Sequence, residues 1–278
     1  MPFLKILDNH GNKIPASQFL SAYEAAGTGR RLSNWGTSSM GPNSAIFGSL
    51  SSIRSRSRNL VMNTPQASGA IDSFVSNMIG QGITPRWQLD DRDLKEQIQE
   101  LWADWVKESD SDGTSSFYGQ QSLMARSMME SGEVLSRLRF RSQRYDLSVP
   151  LQLQVIESDH LDEAYNTLAP NGNEIRMGIE FNAAGDRTAY WLFKDHPAEI
   201  FLHADNASRL RVPAKQIQHV YRVLRPGQIR GRPWLTTVIV KMHEIDQCID
   251  AELVRRKTTA MFGGFVTVSY THLRAHET

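Results

Sequence analysis

The residues best suited to chemistry form one acidic cluster. Glu157-Ser-Asp159-His160-Leu-Asp162-Glu163 places four carboxylates and a histidine within seven residues, and His219 follows in a later segment of alternating pattern. A metal-dependent hydrolase or nuclease needs such groups converging on one ion, and Glu157, Asp159, His160 and His219 would be its set. The spacing argues against that reading. Successive side chains on a strand-to-turn segment diverge, and neither the HExxH nor the EF-hand pattern is present. A solvated acidic turn is simpler. No Gly-x-Ser-x-Gly elbow accompanies His219, and both glycine motifs that cradle phosphates are absent. No catalytic, cofactor-binding or metal-ligating residue is therefore assigned.

A second candidate is basic. Arg225-Pro-Gly-Gln-Ile-Arg230-Gly-Arg232-Pro-Trp234 is a turn stiffened by prolines, with glycines free to take unusual backbone angles. Arg225, Arg230 and Arg232 could contact phosphates or a neighbouring subunit, or could pair with local acids while the turn aims the next segment. Lys241, Arg255, Arg256 and Lys257 join this contact set from that segment. With Arg54, Arg56 and Arg58, the same turn would suit a monomeric DNA-binding module.

The elements that must position these groups are legible. The 278 residues carry a net charge of +1 and are 40% hydrophobic, which suits a globular chain and supplies no global field for nucleic acid. The lone Cys248 excludes an internal disulfide and a multi-cysteine metal site. No apolar run reaches the ~18 residues of a membrane span, and Met1–Asp8 lacks the apolar core of a signal peptide.

Nine serines between Arg30 and Arg58 predict that residues 1–58 form a flexible arm. Asn63-Thr64-Pro65 predicts a helix start, and helices are expected to Ile79, over 91–107 and over 116–131. Period-two patterning predicts strands over 133–141, with one buried and one basic face, and over 151–156, 176–181, 189–193 and 216–222. An apolar stripe from Trp234 through Ile245, Ile249 and Leu253 predicts one long helix over 233–261. Helices followed by strands argue for an α+β fold.

Read in order, these pieces resemble the lambda-type portal proteins of tailed phages. The resemblance rests on Arg56-Ser-Arg-Asn-Leu60, Ile79-Gly-Gln-Gly-Ile-Thr-Pro85, Ser116-Phe-Tyr118 with Gln121, and Ser131-Gly-Glu133. It continues through Leu151–Glu157 with Asp159, Gly178-Ile-Glu-Phe181, Ala189-Tyr-Trp191, His219-Val220, the RPGQIRG turn and Asp250-Ala-Glu-Leu253. It covers about residues 54–267.

The resemblance implies a non-enzymatic homo-oligomeric ring, usually of twelve subunits, that replaces one pentamer at a unique capsid vertex. Double-stranded DNA would pass through it during packaging and ejection. Its expected partners are other copies of itself, the terminase large subunit, head-completion or connector proteins, capsid and scaffold, with no membrane. Its expected location is the virion, and the host cytoplasm during assembly. A portal-type fold would make 59–149 a wing-type helical region, 150–232 a β-rich region holding the clip, and 233–267 a stem or channel-proximal helix. Residues 268–278 do not resemble portal sequence; they resemble translated sequencing-adapter read-through, which implies a C-terminally truncated chain.

Overall fold

The computed structural model describes residue 36 and residues 38–200 and 208–263. The expectations for residues 1–35, including the signal-peptide reading of Met1–Asp8, and for 268–278 lie outside the described residues. The chain divides into Met1–Gly41 and Pro42–Thr278, and every element named below belongs to the second unit.

Among the described residues five helices come first: α1 (Pro42–Ile46), α2 (Leu50–Asn63), α3 (Pro65–Ile79), α4 (Arg92–Glu108) and α5 (Phe117–Ser131). The expected arm is thus wrong from Pro42 onward. Leu50, Arg54, Ser57, Leu60 and Val61 are the buried residues of α2, at the spacing of one helical face. The serine-rich composition hides this stripe because one member is an arginine that is buried only through its ion pairs. Thr64 separates α2 from α3, with Pro65 at the first helical position, where its missing N–H costs nothing. Asp91 caps α4 by accepting from the Asp93 and Leu94 amides, Ser116 caps α5, and Gly132 ends α5 in the left-handed region.

The strands form two antiparallel sheets. The first has the order β2-β1-β8, with β1 (Glu133–Phe140) central between β2 (Leu151–Glu157) and β8 (Ile217–Tyr221). The pairing of β1 with β2 crosses the boundary expected at 149/150. The predicted alternation on β1 fails at its start, because Glu133, Val134, Leu135 and Ser136 are all buried. A central strand covered on both faces loses its period-two signal.

The second sheet runs β3 (Thr167–Leu168), β4 (Glu174–Arg176), β5 (Ile179–Phe181), β6 (Arg187–Phe193) and β7 (Arg209–Pro213), in chain order. The single strand expected over 176–181 is a hairpin instead. Arg176 pairs with Ile179 across a two-residue turn, in which Met177 and Gly178 have φ of 50° and 81°, the backbone of a tight hairpin. A methionine in that position gives no turn signal in the sequence.

Among the described residues two apolar cores result. One lies between the sheets, including Leu135, Ile156, Leu161, Ile179, Leu192, Val212 and Ile217, with Leu50 and Ile229 joining it from outside. The other joins Leu60, Val61, Ala67, Ile71 and Met129 of the helices to Ile239 at the start of the last helix. That helix, α6 (Ile239–Met261), has 23 residues, about 34 Å at 1.5 Å per residue. It is shorter than expected because Trp234–Thr237 forms a tighter 3-10 turn before it. Cys248 is exposed on this helix.

Candidate functional site

Ser131-Gly132-Glu133 carries the chain from α5 into β1, and the basic turn lies directly on it. An ideal Cβ on Gly231 would stand 2.1 Å from the Gly132 carbonyl oxygen, and one on Gly132 would stand 2.3 Å from the Arg232 carbonyl carbon. The two backbones cross at a distance only glycine permits. Gly132 has in addition a φ of +93°, which disfavours any side chain.

The crossing places Arg230 against Glu133. Arg230 is 0% exposed. Its Nε donates to Glu133 Oε1 at 2.8 Å, Nη1 to the Met177 carbonyl at 2.8 Å and Nη2 to the Leu161 carbonyl at 3.1 Å. Glu133 Oε2 accepts from the Gly231 amide at 2.7 Å and meets His219 Nε2 at 3.0 Å. Arg54 Nη2 reaches Glu133 Oε1 from α2 at 3.1 Å. Burial pushes the Glu133 carboxyl up, but Arg230 and His219 outweigh it and hold it well below the usual carboxylate range. Burial pushes His219 down despite Glu133. A neutral ring donating from Nε2 to the carboxylate satisfies both.

Arg54 extends the network, because its Nη1 also lies 3.7 Å from Asp159. Arg58, one turn further along α2, donates to Asp159 and stands 2.5 Å from Glu157. Three arginines from α2 and the basic turn thus meet three carboxylates from β1, β2 and the turn after it. This arrangement removes the chemistry of the hydrolase reading. Glu157, Asp159 and His196 do bring ligand atoms within 4.8 Å of one another, but the Arg58 guanidinium already sits on both carboxylates. His160 places Nδ1 3.1 Å from the Phe193 carbonyl, and His219 is committed to Glu133. The four expected ligands do not converge.

The basic turn is likewise an internal lock. Gln228 Oε1 accepts from the Leu224 amide at 2.9 Å while its Nε2 donates to the Arg230 carbonyl at 2.7 Å. Asn43 of α1 grips the turn from outside, donating to the Gly227 carbonyl and accepting from the Ile229 amide, both at 2.9 Å. Arg230 therefore leaves the set of residues that could touch DNA or a neighbour. Arg232 is half-buried, whereas Arg225, Lys241, Arg255, Arg256 and Lys257 are exposed. Arg255 and Arg256 both bond Glu252 on the same helix. Trp234 closes the turn, edge-on to Phe74 at 6.1 Å and with Arg222 5.2 Å over its ring.

Other motif pieces also prove to be one another's partners. Gln121 accepts from the Ile83 amide at 2.6 Å and donates to its carbonyl at 3.1 Å, so it clamps the Gly82 turn. A Cβ on Gly82 would meet Tyr118 at 2.2 Å. Asp110 accepts from the Thr114 and Ser115 amides and from Gln120. Its carboxyl, raised by burial, is held below the ordinary range by those bonds. Glu180 accepts from Arg211, Asn171, Asn173 and Trp191.

Sequence reasoning missed His196 beside the acidic cluster and the internal pairing of Glu133 with Arg54. A charge at the head of an otherwise apolar strand, and an arginine spaced with Leu50, Ser57 and Val61, were the signals present.

Past the turn lies an apolar surface. On α6 only Ile239 is buried, while Ile245 is 57%, Ile249 44% and Leu253 48% exposed. These three recur every four residues and share one face. Phe74 and Met78 of α3 and Leu94 and Leu101 of α4 are exposed as well. Among the described residues, no helix is long and apolar enough to cross a membrane.

Comparison with known proteins supplies a family. A probable portal protein of Halomonas phage phiHAP-1 is 31% identical over 230 residues, a match covering 79% of this chain and 44% of that protein. The chain thus spans less than half the length of that relative. A family profile described as phage portal protein, lambda family, matches residues 28–278, a span that includes residues 268–278. On that match the chain belongs to the lambda family of phage portal proteins.

Proposed function

We propose that the chain is a structural subunit of a portal ring that forms the DNA channel at the unique capsid vertex. The observation that carries this reading is the face of α6. A helix of 23 residues with one buried residue cannot be stabilised by propensity alone; its stripe of Ile245, Ile249 and Leu253 needs a cover. Neighbouring copies of the same chain supply it in a ring, and the exposed apolar faces of α3 and α4 fit the same requirement.

The charged residues of α6 mix signs, and Glu244, Asp250 and Arg255 lie away from the stripe, with Lys241, Glu252 and Lys257 on its flanks. Mixed charge suits a channel, since phosphates gripped by a uniformly basic wall would not slide. In this reading α6 is a stem or channel-proximal helix, 59–149 a wing, and the second sheet a clip docking the terminase large subunit and head-completion proteins. Capsid and scaffold surround the ring, which is assembled in the host cytoplasm, works in the virion and usually has twelve subunits. The role is mechanical, with no reaction of its own.

Electron microscopy of the purified chain tests the proposal. Closed rings with a central opening wide enough for a duplex support it, and a chain that stays monomeric at high concentration contradicts it.

A further inference from the structure

A cleft of about 460 Å³ opens between the two sheets, lined by Arg137, Arg139 and Gln154 from one side and Leu192, Phe193 and Leu210 from the other. Arg137 and Arg139 lie two apart on β1 and so project from one face. Arg139 donates from Nη1 to Gln154 Oε1 at 2.8 Å. Arg137 differs. Among the described residues no hydrogen bond or ion pair engages it, and its Nε is shielded from water without a partner. Burial, then the charge of Arg139, lower its affinity for its own proton. A half-buried guanidinium beside a second one is a costly arrangement unless an anion joins them.

The remaining charged groups of the cleft do not fill that role. Glu157 is engaged by Arg58 and by His196 at 3.5 Å. Asp112 is exposed and accepts from the Ser111 hydroxyl at 3.1 Å. Lys194 adds a further positive charge at the mouth, and His160 faces the Phe193 carbonyl.

We infer that this cleft receives one carboxylate side chain carried on an apolar peptide segment of a partner protein. The planar guanidinium of Arg137 matches a carboxylate with two parallel bonds. Phe193, Leu210 and Val212 offer hydrocarbon to the residues flanking it. Nucleic acid fits less well: charges follow every ~3.4 Å along a strand, so further phosphates would meet Asp112 and Glu157 at the same mouth. The inference concerns a protein partner of a single subunit, so a failure of ring assembly leaves it standing.

The test measures binding to the full chain and its variants by isothermal titration calorimetry and, in the wild type, follows the Arg137 Nε–Hε resonance, assigned by its loss in Arg137→Gln. The probes are an acetylated Leu-Asp-Leu-Phe amide, its Asn counterpart, inorganic phosphate and a short DNA duplex. The expected result is saturable binding of the aspartate peptide alone, with a shift of the wild-type resonance, and an affinity weakened about tenfold or more in Arg137→Gln. Arg137→Lys, which keeps the charge but loses the paired geometry, should weaken it several-fold and covers the case in which the glutamine variant does not fold. Equal binding of the Asn peptide, binding of the aspartate peptide unchanged by either variant, or a shift produced by phosphate or DNA and not by the peptide overturns the inference.

Discussion

Glu133 Oε1 and Arg230 Nη2 stand 2.5 Å apart with both side chains buried, joining the head of β1 to the basic turn. The pair sits where α2, the sheets and the approach to α6 meet, so it fixes the direction in which the long helix leaves the body.

Removing the carboxylate should therefore cost more than an ordinary surface pair. Glu133→Gln removes the buried charge that Arg54 and Arg230 share, leaving Arg230 without an ion pair and Arg54 with only Asp159 at 3.7 Å, and the loss should be about 3–5 kcal/mol. Urea unfolding of the full chain measures it. A loss under about 1 kcal/mol would mean that water or rearrangement already satisfies the two arginines.

The glycine crossing gives a matched set. Gly231→Ala and Gly132→Ala each place a Cβ within 2.3 Å of backbone atoms, and either should destabilise by several kcal/mol or prevent folding. Gly69→Ala on α3, where a Cβ would meet nothing within 4 Å, should stabilise by about 0.5–1 kcal/mol. Thermal melts rank the three variants. Equal effects would show that the crossing is not tight.

Acid should weaken the fold in two steps. His219 is held below its ordinary value, so the unfolded chain takes up its proton first and stability falls as pH drops below about 6.5. Glu133, Asp159, Asp110 and Glu180 are held low, so their contribution is complete above about pH 4.5 and is lost as pH falls further. A melting temperature that rises between pH 7 and pH 5 would contradict this assignment.

Helices α3, α4 and α5 and strands β1, β2, β6 and β8 are legible in the sequence, because caps such as Thr64-Pro65, Asp91 and Gly132 and the alternation along 151–156 act locally. The basic turn stands out as well, but its role does not. Nothing local separates Arg230, which pairs with Glu133 across 97 positions, from Arg225, which is exposed. The acidic cluster has the composition of a solvated turn, yet Asp159 and Glu157 are met by Arg58 from a segment whose serines suggest an arm. Long-range charge pairing leaves no period in a sequence. The hairpin at Met177-Gly178 is hidden for a different reason, since its first turn residue is not one of the usual turn formers.

Removal of positive charge from α6 should change how the assembled protein responds to DNA. Replacing Lys241, Arg255, Arg256 and Lys257 by alanine should leave the fold stable, since all four are exposed. It should also flatten the salt dependence of duplex association by about 0.9 in log–log slope for each phosphate no longer neutralised. An unchanged slope would place DNA elsewhere.

The most direct measurement is the mass of the particle formed by the wild-type chain and by Ile249→Asp, taken by native mass spectrometry on samples of matched secondary structure. Ile249 is half exposed on α6, so a charge there costs a lone subunit little. If copies of the chain cover this face, the wild type forms closed rings of one mass and the variant remains monomeric. Rings of the same mass from Ile249→Asp would contradict the account, since the face on which it rests would then lie outside the subunit interface.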